Sequence, residues 1–523
     1  MRRLASICLL FLTFAFVSHA QNTPLTVLEA GPTGPLAQLS DANEVRVIFS
    51  EAMVALGRVP SNPQIPWVTI SPRIAGAFRW SGTTILIFTP DPSAPVPFAT
   101  KYTVTVDANA TSAAGRRLGT PYRFEFTTPT MQLTSARWYR KNGRANSPVV
   151  VALQFNQRVR PADVLAHVKA RHEAHEWEAP GFTDRELARL KAGDPAGLAA
   201  FQTKVAATHR TTQSMAPVAL RLATEWDRER FPPSDSLVMV ETVTVPASGA
   251  WLALIADASM PSPTGREVRG EPSISVVALE EAFFARQMPC TDGCDPSGWN
   301  PVRFTTPVTK RAFSAGLTIR DITEPARESA VTKPTTARAP ADSEAEADRA
   351  YNVEDGGFDR QTPARTWRLR LDPTLRADDG QTLGYTWIAI VDNQHEQAFV
   401  SFGDGHGVWE KSSGPMLPFS SRNFRTVTQW LSRVTLNTLM PTLRTLQADN
   451  FRTAPTGAGT ARSLTVRADA IQAHGIDLTP VLSANGTGLV RATVMPGITI
   501  ERVAGETNPD GTRVTSPPRS TVV

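Results

Sequence analysis

The sequence predicts an all-β, multidomain chain made of tandem β-sandwiches, and three observations lead there. Proline is abundant, 42 of 523 residues, or about 8% against a usual ~5%. Period-two alternation of apolar and polar residues recurs in short runs bounded by turn residues. One strand pattern and one glycine turn each appear more than once. Proline can neither donate to a sheet ladder nor sit inside a helix, so a high count favours many short strands joined by turns. At roughly 100–200 residues per domain the length implies three or four units.

Residues 1–20 carry an export address. Arg2 and Arg3 form the positive end, Leu4 to Val17 the apolar stretch, and Ser18-His19-Ala20 the small-residue site. Cleavage is expected between Ala20 and Gln21. Cys8 lies in the apolar stretch and Gln21 follows the cut, so no lipid anchor is indicated. No later apolar run approaches ~18 residues, so no further membrane span is expected. The net charge of +5 comes from scattered arginines, which argues against nucleic acid as a partner.

The first sandwich is assigned to 21–130. Glu44 to Met53 alternates and then breaks at Ser50; Ile85–Pro90, Tyr102–Val106 and Phe124–Thr128 are further strands. The second is assigned to 131–308. Val149 to Val159 repeats the opening pattern, with Phe155-Asn156-x-x-Val159 matching Phe49-Ser50-x-x-Met53. Val302-Arg303-Phe304-Thr305-Thr306-Pro307 is taken as its closing strand, matching Phe124 to Pro129. The turn Gly115–Gly119 recurs as Gly265–Gly270 and Gly380–Gly384; paired glycines suit backbone angles that other residues resist. The second unit carries a helical insertion at about 160–215, with helices expected over Asp163–Glu178 and from Asp184 to about His209. Thr183 and Glu186 form a capping box at the latter's start. Loop insertions are tolerated because closure entropy grows slowly with length, and they often carry binding.

Residues 309–365 are rich in Pro, Ala, Thr and acids, and are expected to be a flexible linker or long loop. A final β region, 366–523, includes strands at Thr366–Leu371 and Thr386–Val391. It also carries an expected helix at Asn423–Met440 stopped by Pro441, and strands near Ser463–Asp469 and Gly488–Met495.

Cys290 and Cys294 flank Asp292-Gly293. In an oxidising compartment two cysteines this close are expected to form a disulfide. The alternative, half of a metal site, needs two more ligands that are not nearby. So short a loop contributes about 2 kcal/mol, enough to pin a loop but not to hold a domain. His172-Glu173-Ala174-His175 lacks one residue of the zinc-protease spacing, so a solvated helix face is the reading there, with His167 a further histidine on the same helix. Gly403-Asp404-Gly405-His406-Gly407 lacks the Lys-Ser/Thr ending of a phosphate loop and reads as a turn. The acid pairs Asp378-Asp379 and Glu354-Asp355 read as solvated charge, and the tryptophans as packing residues more than sugar platforms. No nucleophile elbow or Ser-x-x-Lys set is present. The expectation is therefore a non-enzymatic chain with no catalytic residues, cofactor or metal site.

Val45-Arg46-Val47-Ile48-Phe49-Ser50-x-x-Met53, the Tyr102 to Val106 strand, Gly115-x-x-Leu118 and Phe124-x-Phe126-Thr127 resemble the bacterial Ig-like domain of the SbsA type. Residues 25–128 carry the whole pattern and 145–308 its ends. Ala398 to Glu410, Leu417-Pro418-Phe419 and Arg422-Asn423-Phe424 resemble the N-terminal region of bacterial α2-macroglobulin-like proteins, which contain tandem macroglobulin sandwiches. That resemblance implies a protease trap sprung by bait cleavage, in which a thioester from a Cys-x-Glu-Gln motif acylates the attacker. Cys290 is followed by Thr-Asp-Gly and Cys294 by Asp-Pro-Ser, so neither supplies that thioester. The expected function is an exported scaffold, periplasmic, cell-surface or secreted, with proteases or cell-envelope proteins as partners. The alternatives are a cell-surface or S-layer-type adhesion module and, less in keeping with the sequence, a polysaccharide-active enzyme, for which 393–523 is too small.

Overall fold

The computed structural model describes residues 24–61, 63–334, 346–359, 362–403, 407–505 and 516–523. The expected export segment, with the expected cut between Ala20 and Gln21, lies outside them. The described chain forms four β-sandwiches in series.

In the first, one sheet runs in the order Val27–Gly31, Val45–Phe49, Ile85–Pro90, Gly76–Ser81, and the other Gly34–Pro35, Tyr122–Thr127, Lys101–Val106, Val68–Ser71. Alternation sets the faces: Val45, Val47 and Phe49 are buried and Arg46 is exposed, and they meet Tyr102, Val104, Val106, Phe124 and Phe126 in one core.

The second sandwich pairs the sheet Leu220–Leu222, Leu237–Thr242, Val149–Phe155, Leu133–Arg140 with the sheet Pro217–Val218, Val168–Glu173, Trp251–Ala256, Ser273–Ala278. Val149 to Leu153 is buried at every position. Val149, Val151 and Leu153 face the sandwich core, while Val150 and Ala152 are covered by Phe231, Met239 and Ala223. A strand covered on both faces needs a continuous apolar run. The repeated Ser50/Asn156 position has a structural reason too. Ser50 Oγ accepts from Thr26 N (3.0 Å) and Asn156 Oδ1 from Gln132 N (3.0 Å), in each case tying the end of the central strand to the segment entering the domain.

The glycine turn is likewise one device used repeatedly. A strand ends in aspartate, whose Oδ1 accepts from the N–H two residues on: Asp107 from Asn109 (2.8 Å), Asp257 from Ser259 (2.9 Å), Asp372 from Thr374 (2.9 Å). Ala110, Met260 and Leu375 then donate to the aspartate carbonyl and are buried. Each turn leads into the last strand of its sandwich.

Several expectations change. The strand Val302–Thr309 does not close the second sandwich. It pairs with Ala347–Tyr351, and Phe304 packs with Phe283 and Phe313, which in turn stacks on Tyr351, in the third core. The second sandwich closes on Ser273–Ala278, because that strand follows its glycine turn. Residues 309–365 are not a linker throughout. They include a helix, α4 below, and the Leu317–Asp321 strand, which pairs with Thr366–Leu371. The composition misleads because short elements separated by polar turns need few apolar residues: Leu317, Ile319, Tyr351, Val353 and Phe358 are buried. The third sheet runs Ser329–Ala330, Leu317–Asp321, Thr366–Leu371, Trp387–Asp392.

The helices are α1 (Pro161–His167), α2 (Asp184–Gly193), α3 (Pro195–Thr212), α4 (Lys310–Gly316) and α5 (Leu436–Ala448). The helix expected over Asp163–Glu178 stops at His167, where Val168–Glu173 enters the sheet against Trp251–Ala256; Val168 and Ala170 alternate into the core. The helix expected at Asn423–Met440 is mostly the strand Thr426–Val434, which pairs with Leu489–Pro496 and buries Val427 and Val434. The helix itself begins at Leu436, behind the Thr435 cap, and runs through Pro441. Ser463–Asp469 is a strand only at its start, as part of Thr460–Ser463. The fourth sandwich sets Phe399–Ser401, Met416–Arg422, Gln472–Asp477 against Thr460–Ser463, Thr426–Val434, Leu489–Pro496, Arg519–Val522. No helix among the described residues is long and apolar enough to cross a membrane.

Candidate functional site

A set of buried polar contacts between sandwiches lies where α2 and α3, inserted in the second, pack on the third. Thr183 starts α2: its N–H donates to Glu186 Oε2 (2.7 Å), and its Oγ accepts from Glu186 N (3.4 Å). This capping box holds the Glu186 carboxylate in place, and its Oε1 accepts from Ile390 N at 3.0 Å. Glu186 is 1% exposed, so a side chain of one sandwich satisfies an outward N–H on the last strand of the next. Asp194 caps α3 through Gly197 N (2.8 Å). Hydrogen bonds from the Thr386 hydroxyl and then Gly197 N–H hold its carboxyl below the usual value.

Apolar packing surrounds these contacts. Leu198, Phe201 and Val205, at i, i+3 and i+7, form the core-facing stripe of α3. Phe201 makes edge contacts with Phe182 (4.8 Å) and Tyr385 (5.0 Å). Lys204, one position before Val205, sends its Nζ to Thr382 O and Leu383 O, both at 2.8 Å. It also lies 5.0 Å from the Phe284 ring and 5.9 Å from Tyr385. Burial brings its amine down to about 8. Arg189 pairs with Glu328, which also meets Arg368 at 3.1 Å.

The other joints are smaller. Glu267 N donates to Ala99 O (2.9 Å) between the first two sandwiches. A Cβ on Gly265 would lie 2.1 Å from that carbonyl oxygen, so the close approach requires glycine there. Between the third and fourth, Arg502 Nη2 meets Asp392 Oδ2 (2.5 Å), and His395 Nδ1 meets Asp469 Oδ2 (2.8 Å). Cys290 and Cys294 are disulfide-bonded, with Cα atoms 5.8 Å apart. Their loop extends the third sheet's edge: Asp392 N donates to Thr291 O, Cys294 N to Asp392 O and Gln394 N to Cys294 O.

The other residues named from sequence do not converge. His172 lies on a strand, opposite Leu252, and its Nδ1 is buried without a hydrogen-bond partner. His175 stacks on Trp251 at 4.3 Å, and His167 pairs with Asp257. The single helix face expected for the three does not form, because the chain turns to strand at Val168. Among the described residues no group of three His, Cys, Asp or Glu is arranged to hold a metal ion. Asp379 accepts from Gln381 within the glycine turn, and Asp355 pairs with Lys310 at 3.1 Å. Residues 404–406 of the glycine-rich stretch lie outside the described residues. Trp387 and Trp367 are buried, whereas Trp299 is 66% exposed. A groove of about 640 Å³ in the fourth sandwich is lined by Trp409, Lys411, Leu478, Leu482 and Val490 among others. Sequence reasoning missed Lys204 and the inter-sandwich role of Glu186. The available signal was the i, i+3, i+7 stripe of α3, which is too apolar for a free-standing loop helix.

Comparison with known proteins adds the following. No curated protein matches the chain. Among solved structures the chain is similar to Escherichia coli alpha-2-macroglobulin in its native conformation, at 10% identity over 96% of this chain and 34% of that one, with a TM-score of 0.19. It is also similar to the crystal structure of the MG0-NIE-MG1 domains of the Escherichia coli protein, at 11% identity over 71% of this chain and 96% of that one, TM-score 0.19. A third likeness is to the S-layer protein SbsC, at 11% identity over 91% and 53%, TM-score 0.15. The chain thus spans about a third of the length of the whole alpha-2-macroglobulin it matches. Residues 21–128, the first sandwich, match the bacterial Ig-like domain family.

Proposed function

We propose that the chain is an exported, non-enzymatic scaffold forming the N-terminal part of an α2-macroglobulin-like protease-trapping inhibitor, its first domain an Ig-like unit of the SbsA type. The observation that carries this reading is the joint between the second and third sandwiches. Glu186, Asp194 and Lys204 of one unit satisfy groups of the next, which fixes their relative orientation as a docking scaffold requires. The motif-bearing segments support it as well. Phe399 pairs with Arg422 and Val400 with Ser421, so the stretches that resemble the macroglobulin region form adjacent strands. Proteases, or envelope proteins that present them, are the partners this reading implies.

The test uses the natural gene product purified from its culture. Incubated with trypsin, a trap leaves the protease active on a small amide substrate and shields it from a protein-sized substrate. The coding frame is expected to contain a Cys-x-Glu-Gln motif if trapping is covalent. Trypsin that stays equally active on both substrates, with the gene product binding isolated cell wall instead, would overturn the proposal in favour of a surface adhesion module.

A further inference from the structure

The loop after the disulfide presents one aromatic ring to solvent on a backbone pinned at several points. Asn300 binds both backbone groups of Cys290, Oδ1 accepting from Cys290 N (3.0 Å) and Nδ2 donating to Cys290 O (2.9 Å). Asp295 Oδ1 accepts from Ser297 N (2.8 Å), Gly298 N returns to Asp295 O (3.0 Å), and Ser297 Oγ donates to Glu396 Oε2 (2.6 Å). At the tip sits Trp299, 66% exposed, with the Arg303 guanidinium 5.1 Å from its ring centroid. A cation on one face fixes the ring's orientation and leaves the other face free.

Trp299 borders a cleft of about 190 Å³ that also includes Asp295, Ser297, Asn352 and Glu354. Asn352 and Glu354 are held by a tight turn in which Asn352 N donates to Asp355 Oδ2 (2.9 Å) and Gly357 N to Glu354 O (2.9 Å). The side-chain amide of Asn352 and the carboxylate of Glu354 have no protein partner among the described residues. Neither side chain is buried, so both reach solvent in the cleft.

A large aromatic this exposed adds little to the fold beyond its Arg303 contact, and such residues dominate recognition where they occur. From this arrangement we propose that the Trp299 cleft is a saccharide-binding site taking one pyranose ring of an oligosaccharide. The ring's axial C–H face stacks on the free indole face. The planar ends of Asn352, Glu354 and Asp295 offer donors and acceptors to its hydroxyls. The cleft's size suits a single ring, and its polar lining suits a hydroxyl-dense ligand. A protein anchor side chain would instead call for an apolar pocket.

The test titrates the full-length oxidised chain with maltotetraose, cellotetraose and chitotetraose, following intrinsic tryptophan fluorescence and titration heat. At least one is expected to bind saturably, with Trp299→Ala weakening it tenfold or more and Asn352→Ala severalfold. Trp409→Ala, in the separate groove of the fourth sandwich, should leave it unchanged. A thermal midpoint within a degree or two of the parent shows that each variant is folded. Reducing the Cys290–Cys294 bond should also weaken binding, because it loosens the loop. No saturable binding of any of the three, binding that survives Trp299→Ala, or protection of Trp299 from oxidation by an envelope protein but by no glycan would each overturn the assignment.

Discussion

The first and third sandwiches share hardware but differ in how they are completed. Both end a strand in aspartate, cross a turn with two left-handed glycines (φ 82° and 80° at Gly115 and Gly119, 87° and 76° at Gly380 and Gly384) and enter a last strand. Turn bonds coincide position by position: Leu118 N to Ala110 O and Leu383 N to Leu375 O, Gly119 N to Ala108 O and Gly384 N to Pro373 O. Yet the first core is built from residues of its own segment, whereas the third also takes Leu190, Leu198 and Phe201 from helices inserted in the second sandwich. A shared local device therefore fixes a turn, not the independence of the domain around it.

The largest expected effect breaks that comparison directly. Phe126→Ala in the first sandwich and Phe201→Ala in α3 each remove a buried ring, at about 3–5 kcal/mol. The first should loosen only residues 24–128. Phe201→Ala should instead raise amide exchange at Leu369 and Trp387, far along the chain, while leaving the first sandwich untouched. Hydrogen-exchange mass spectrometry reads both, and unchanged exchange across 281–394 in Phe201→Ala would remove α3 from the third core.

The same contrast explains what was legible. Period two exposed the first sandwich because its strands are half-buried, as at Val45, Arg46 and Val47. The Thr183–Glu186 box marked the start of α2 because capping is a local signal. The third sandwich was hidden for the opposite reason. Tyr351, Val353 and Phe358 lie in a polar, proline-rich stretch, and their burial depends on contacts with Leu317 and Phe313 that no window of sequence contains. The Val302–Thr309 strand repeats the Phe-x-Phe-Thr-like ending of the first unit but pairs forward, so a correct local match carried a wrong domain assignment. The apolar stripe of α3 marked a covered face, but the polar half of the joint was invisible, since Glu186 and Lys204 look like ordinary surface charges of a helix until Ile390 and Leu383 are placed beside them.

Edge protection sharpens the comparison at a smaller scale. The first sandwich leaves Gly76–Ser81 at a sheet end, with Arg79 paired to Glu44 at 2.6 Å, and charge on an edge strand discourages pairing with another chain. The third uses a buried carboxylate instead. Glu186→Ala leaves Ile390 N–H without its acceptor, at about 1–3 kcal/mol, and should speed exchange of the Ile390 amide. Glu186→Gln keeps one acceptor oxygen for two donors, Ile390 N–H and Thr183 N–H, so it should restore only part of the protection. If Gln behaves as badly as Ala, the contact needs both carboxylate oxygens, one for each N–H.

The smallest effect sets one lysine of each region against the other. Lys101, on the surface of the first sandwich, is raised by its hydrogen bond and charge interaction with Glu125, 2.6 Å away. Its contribution is present below the unfolded value and fades only as pH rises through the raised folded one, in strongly alkaline solution. Lys204 has the opposite sign. Its folded value near 8 lies below an unfolded value of about 10.4, so between these the undocked state holds more protons and docking strengthens as pH rises. Below about 8 both states are protonated and the burial cost stands in full, offset by the two carbonyls and the ring faces. Tyr385 is pushed above its ordinary range by burial, so it does not titrate in the same window. Exchange at the α3 contact with Leu383, corrected for the intrinsic pH dependence of amide exchange, should therefore slow between pH 7.5 and 9.5. Lys204→Met should flatten that slope while the first sandwich keeps its own. A slope that persists in Lys204→Met would assign the pH response to another group and leave Lys204 as a packing residue.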